Sequence, residues 1–137
     1  NRSSSSAAGQ NRRMDEALEV ADRFFAAAEA GDIATIEQLY APDAQVWHNT
    51  DRVVQNREEN LRTLTWITTN LRDIRYTNVR RSPTDDGFVQ QHVFEATNRA
   101  GQRVEVPACV VATVRDGRIT RIDEYIDSAA VTALMAT

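Results

Sequence analysis

Residues 24–49 read FFAAAEAGDIATIEQLYAPDAQVWHN, and the order of elements in this stretch decides the fold. A helix carrying Phe24 and Phe25 runs into Gly31, which suits the helix C′ position because glycine takes the left-handed conformation at no steric cost. Asp32 then caps a short second helix whose apolar face is Ile33, Ile36, Leu39 and Tyr40. A proline–aspartate turn follows at residues 42–43, and a strand ends in Trp47-His48-Asn49. Side chains alternate along a strand, so Ala44, Val46 and His48 share one face. A titratable ring therefore closes an otherwise apolar row.

Working outward, the first helix is expected over about residues 15–30, with Leu18, Ala21, Phe24, Phe25 and Ala28 as its buried stripe. A third helix is expected from near Arg57, where Asn56 and Glu59 have capping-box spacing. Leu61, Leu64, Ile67 and Leu71 supply its apolar face. Downstream the period changes to two. Residues 74–80 alternate, 82–87 (SPTDDG) read as a turn, and 88–97 and 103–114 flank an Asn98–Gly101 hairpin. Asp116-Gly117 signals a second hairpin into a last strand over 118–127. Three helices followed by long strands make an α+β domain, its helices packed on one face of a curved antiparallel sheet. Residues 1–13 (NRSSSSAAGQNRR) read as a flexible polar leader, native or added, before a single domain over 14–137.

The chain of 137 residues, 42% hydrophobic and 26% charged, is sized for one domain with a useful core. Its net charge of -4 argues against a nucleic-acid partner, which would call for a basic patch. The single cysteine, Cys109, excludes an internal disulfide framework. No apolar run approaches the roughly 20 residues that cross a bilayer, and no apolar core follows the first arginines as in a signal peptide. A cytoplasmic protein without a membrane partner is the expectation. The strand over 107–114 is apolar on both faces, so its outer face needs cover, and a homodimer through that face is expected.

Three strands each place one titratable group on an apolar face. His48 follows Val46. His92 lies in the row Phe88, Gln90, His92, Phe94, Ala96, and Glu124 in the row Thr120, Ile122, Glu124, Ile126. A carboxylate so placed is costly unless it is paired or protonated. Tuned histidines and carboxylates are the groups of general acid–base catalysis. Plainer readings stand beside this one. His48 can close its strand at the sheet rim, His92 can be a satisfied core or interface histidine, and a bulge can turn Glu124 outward to an arginine. Trp47 and Trp66 fit packing roles, and Cys109 fits a small buried hydrophobe.

The segment AGDIATIEQLYAPDAQV and the closing GRITRIDEYID resemble the nuclear transport factor 2-like superfamily, in particular its SnoaL-like polyketide cyclase, limonene epoxide hydrolase and ketosteroid isomerase branch. The resemblance implies a cone-shaped sheet wrapped around helices. It places the family's catalytic acid on Glu124 and the hydrolase's water-holding asparagine on His48. It also implies departures. The isomerase's aspartate base falls on His48, its oxyanion tyrosine on Phe24 and its protonated acid on Cys109, so enolate stabilisation by that set is not expected. The hydrolase's tyrosine falls on Val46, and its Asp–Arg pair falls among residues 90–94. His92 lies near one of scytalone dehydratase's two histidines.

These readings converge on a small-molecule enzyme needing no cofactor, with His48, Glu124 and His92 as its acid–base groups. Its apolar pocket, formed by Phe24, Phe25, Val46, Trp66, Gln90, Phe94, Cys109 and Ile122, would take a lipophilic, oxygen-bearing molecule. Cyclisation, isomerisation, dehydration and epoxide hydrolysis all fit. The alternatives are a non-catalytic binding or dimerisation module and, more remotely, a metal site on the two histidines and the glutamate.

Overall fold

The computed structural model describes residues 2–137, with side chains from residue 7 onward. In chain order the elements are α1 (Arg2–Ala30), α2 (Ile33–Leu39), β1 (Tyr40–His48), β2 (Val54–Asn56), α3 (Arg57–Asn70), β3 (Arg72–Thr84), β4 (Gly87–Thr97), β5 (Arg103–Arg115), β6 (Arg118–Ile126) and α4 (Ser128–Leu134).

The local signals act as expected around the opening stretch. Gly31 sits at φ +71°, and Asp32 N–H donates back to Ala27 O at 2.8 Å, closing α1. Asp32 accepts from Thr35 N–H, and Asn56 and Glu59 complete a reciprocal capping box on α3. Helix α1 begins well before Asp15. The segment 7–13 is rich in helix-forming Ala, Gln and Arg and has no proline to stop the helix. Gln10 reaches Asp85 in the β3–β4 turn, and Glu16 accepts from Gly117 N–H in the β5–β6 turn. Residues 1–6 of the expected leader lie outside the described side chains.

One six-stranded sheet runs in the order β2-β1-β6-β5-β4-β3. It is mixed and not wholly antiparallel, because β1 lies parallel to β6, pairing Val46 with Ile122 and His48 with Glu124. The first strand and the last thus meet at the centre of the sheet. The β3–β4 turn is tighter than 82–87 suggests, since β3 continues to Thr84 and pairs with Gly87. Gly87 is required there: a Cβ would lie 1.8 Å from the Ala112 carbonyl oxygen.

Curvature comes from irregularities in the ladders. Register shifts interrupt β3–β4 on either side of residues 75–77, with Asp73 and Asn78 at positive φ. Such bulges bend a strand and increase its twist. A further shift between Thr113 and Val114 puts Ile119, fully buried, on the inner face in the place expected for Thr120.

The bent sheet and its helices enclose two apolar clusters. One lies under α1 and α2 and includes Phe24, Phe25, Ile36, Val46, Phe88 and Ile122. The other joins α4 and the end of α3 to β3–β5 through Leu71, Ile74, Val104, Val106 and Leu134. No described helix is long and apolar enough to cross a membrane.

Candidate active site

Between these clusters the helices stand off from the sheet and leave a cavity of about 550 Å³. One end of its wall is polar, with His48, Asp51, Gln55, Asn60, Thr63 and Glu124. The other is apolar, with Trp66, Ile74, Phe94, Val106, Val131 and Leu134. Helix α4 closes this apolar end. Its last carbonyls are held by the β4–β5 turn, where Asn98 Nδ2 donates to Ala133 O at 3.0 Å and Arg99 Nη2 to Met135 O at 2.9 Å. The Arg99 guanidinium also lies 5.1 Å over the Trp66 ring, joining α3 to the same clamp.

At the polar end His48 Nε2 meets Glu124 Oε1 at 2.9 Å, both side chains about a quarter exposed or less. Their cross-strand pairing places them there, and Asn49 fixes it. Asn49 N–H donates to Glu124 O at 3.1 Å, while its side chain accepts from Ile126 N–H and donates to Ile126 O. Burial alone would lower the His48 pKa. The hydrogen bond to Glu124, the charge of that carboxylate and the charge of Asp51 outweigh it, and the net direction is upward. The wall beside the pair is a chain of hydrogen bonds: Tyr40 OH to Asn60 Oδ1 at 2.6 Å, Asn60 Nδ2 to Gln55 Oε1 at 2.9 Å, and Gln55 Nε2 to Thr63 Oγ1 at 3.0 Å.

His92 is a different kind of histidine. It is 4% exposed and stands edge-on to Tyr76 at 4.8 Å and to Phe25 at 5.5 Å between ring centroids. Burial pushes its pKa down; the Glu124 charge opposes that, and the Arg81 charge adds to it. Tyr76, which lines the cavity, is raised by burial and then by the Glu124 charge, as is Tyr40. Glu124 is therefore the charge that His48, His92, Tyr40 and Tyr76 all feel. Of the three expected acid–base groups, His48 and Glu124 line the cavity and His92 stands behind its wall, and among the described residues no three His, Cys, Asp or Glu side chains are grouped to hold a metal ion.

The expected pocket wall needs correction. Trp66 and Phe94 do line the cavity. Phe24, Phe25, Val46 and Ile122 do not; they are core residues packed beneath α1, because the aromatic stripe of that helix reaches the sheet and fills the space. Gln90 is fully buried and occupied by Arg81 and His92. Cys109 lies on the outer face, half-buried opposite Tyr125 and Gln91, since even-numbered residues of β5 point inward. Sequence reasoning missed Tyr76, Gln55 and Asn60. Tyr76 shares strand parity with Ile74, which was a usable signal; Asn60 had none beyond its place one turn past the α3 cap, and Gln55, on β2 just before that cap, had none.

A family profile described as a SnoaL-like domain matches residues 21–122. An uncharacterised protein of Mycobacterium tuberculosis is 30% identical over 135 residues, covering 89% of this chain and 98% of that one. Among solved structures, a candidate polyketide cyclase from Xanthomonas campestris superposes with a TM-score of 0.78 at 18% identity, over 90% of this chain and 99% of the other. An epoxide hydrolase of the limonene type from Mycobacterium tuberculosis gives 0.73 at 18% identity, over 88% and 90%. These likenesses establish the fold, an α+β cone of the kind also described as ketosteroid isomerase-like.

Proposed function

The chain belongs to the SnoaL-like domain family, and on that footing we propose that it is an acid–base enzyme acting on a small, lipophilic, oxygen-bearing molecule. One observation carries this reading: a carboxylate and an imidazole share a 2.9 Å hydrogen bond on the wall of a cavity that is otherwise largely apolar. His48 donates Nε2–H to Glu124 Oε1 and fixes the carboxylate's orientation. The other carboxylate oxygen then takes a proton from water or from an activated carbon of the ligand, and the resulting carboxyl returns it to the ligand later in the reaction, while the His48 N–H stays on Oε1. Low polarity strengthens both interactions. The apolar end accepts the hydrocarbon body and so sets which atom faces Glu124. The chemistry is proton transfer: hydration of an epoxide, isomerisation or cyclisation through an enol, or dehydration.

The test is a panel of lipophilic epoxides and enolisable ketones, read by product mass and by deuterium uptake in D₂O, with wild type and Glu124→Gln side by side. Wild-type turnover should fall roughly 10²-fold or more in the variant, the scale of a positioned acid–base group. Tight binding of panel members by both proteins, with no turnover by either, would replace the enzyme with a binding module. Equal turnover by both would remove Glu124 from the chemistry.

The same reading includes a second copy of the chain on the outer sheet face. There Val111 and Tyr125 are exposed, and Tyr125 stands edge-on to Trp47 at 5.3 Å, so an apolar and aromatic group of side chains lies open on that face. Light scattering should give twice the chain mass for wild type and a lower mass for Tyr125→Arg. A wild-type monomer would end this part of the reading.

A further inference from the structure

Among the described residues, two buried side-chain nitrogens lack a hydrogen-bond partner, Arg57 Nε and His92 Nε2. The second is the end of an ordered chain. Asp22 on α1 holds Arg81 Nη1, and Arg81 lies 5.6 Å over the Phe25 ring. Arg81 Nε donates to Gln90 Oε1 at 2.7 Å, and Gln90 Nε2 lies 2.9 Å from His92 Nδ1. Each link dictates the next. The arginine can only donate, so the carbonyl oxygen of the Gln90 amide must face it. The amide nitrogen is thereby turned to His92, and it too can only donate. His92 Nδ1 must then offer its lone pair, because a proton there would set N–H against N–H. The single remaining proton belongs on Nε2.

We propose that Arg81 and Gln90 are positioning residues that fix His92 in its neutral Nε2–H form, so that it offers one donor to an acceptor oxygen of the ligand and takes no proton from Glu124. His92 lies directly behind the cavity wall: its cross-strand partner Ala108 and the Tyr76 ring edge-on to it both line the cavity, Ala108 with a single methyl group. The ligand class that suits such a donor is a ketone, epoxide or enolate oxygen, and an alkylammonium, which can only donate, is excluded. The ligand part of this inference rests on the acid–base reading above; the fixed proton does not. In that reading the relay separates the two histidines, leaving His48 as the proton partner of Glu124.

The experiment is long-range proton–nitrogen correlation NMR on the ¹⁵N-labelled protein between about pH 5 and 8, where an ordinary histidine titrates. His48→Gln and His92→Gln spectra assign the two rings. His92 should keep a bare Nδ1 and a protonated Nε2 throughout, while His48 changes. A bare Nε2, or a His92 ring doubly protonated over most of that range, overturns the proposal. Gln90→Glu should move the proton onto Nδ1, and Arg81→Met should free the amide to turn and give mixed tautomers. An unchanged His92 in both removes the relay. Should the buried glutamate prevent folding, Arg81→Met alone decides, since it removes every donor to the Gln90 carbonyl oxygen.

Addition of cyclohexanone should then shift the His92 Nε2–H signal, and cyclohexylamine should not. No shift with the ketone overturns the donor role while leaving the fixed tautomer intact. Absence of turnover in the panel above would bear on Glu124 without touching either NMR result.

Discussion

The two ends of the cone receive side chains by the same rule and use them oppositely. Under α1, alternate residues of β1, β4 and β6 pack with Phe24 and Phe25 in one buried cluster, and His92 is enclosed between aromatic rings. Toward α3 and α4 the lining residues include Ala108, Thr63 and Thr68, too small to fill the same separation. The result is a cavity, with His48 and Glu124 at its edge. Strand alternation delivers a residue inward; the size of what faces it decides whether the position becomes core or site. One histidine is consequently held neutral and the other is drawn toward its charged form.

The largest expected effect breaks the filled end. Phe25 contacts Phe24, Tyr76, Phe88 and His92 and carries Arg81 over its ring. Phe25→Ala should cost about 3–5 kcal/mol in denaturant unfolding, the range for a buried phenylalanine. Phe94→Ala, which enlarges an existing cavity, should cost clearly less. Equal losses would mean that the two ends do not differ in packing.

The next effect is smaller and converts the open end into a filled one. Ala108→Leu should occupy the cavity floor and weaken binding of panel ketones about tenfold or more, while moving stability by no more than ~1–3 kcal/mol in either direction. Calorimetric titration beside a melting curve reads both quantities. Undiminished affinity would place the ligand elsewhere.

The finest comparison is between the histidines themselves, through pH. His48 has a raised folded-state pKa, so its pairing with Glu124 is fully present below the ordinary histidine value of about 6.5 and is lost as pH rises through the folded value. His92 has a lowered one, so its contribution is present above about 6.5 and is lost as pH falls toward the folded value. His48→Gln should therefore remove stability chiefly on the acid side, by less than about 1 kcal/mol for a partly exposed pair. His92→Gln should flatten the decline below neutrality. Urea midpoints across the range check the signs, and like slopes for both variants would sink the contrast.

How much of this was legible in the sequence follows from where the chain is regular. His48 and Glu124 could be placed inward because β1 and β6 keep period two from Gln45 to His48 and from Arg121 to Glu124, with the bulge lying before them. Thr120 fell on the wrong side of that bulge, which no local signal marks. Cys109 sits in a strand apolar on both faces, so alternation alone could not choose its side, and the family position it inherits chose wrongly. Phe24 and Phe25 were legible as buried but not as core or wall, a question of how far α1 stands from the sheet. Helix α4 had a readable start, Asp127 capping Ala129 N–H with Val131 and Leu134 three apart, yet nothing local says what it covers.

The parallel pairing of β1 with β6 has a consequence in time. The Asn49–Ile126 bonds that seat the acid–base pair join residues 77 apart, and the strand that brings Glu124 is the last of the six to be made. Contacts of such separation must close a long loop before they return anything, and domains emerge from the ribosome from the N-terminus onward. Until β6 emerges, β1 has β2 on one side and no strand on the other, and His48 lacks its Glu124 partner. The cavity can begin to take shape on the nascent chain, whereas the His48–Glu124 pair on its wall forms in a single late step.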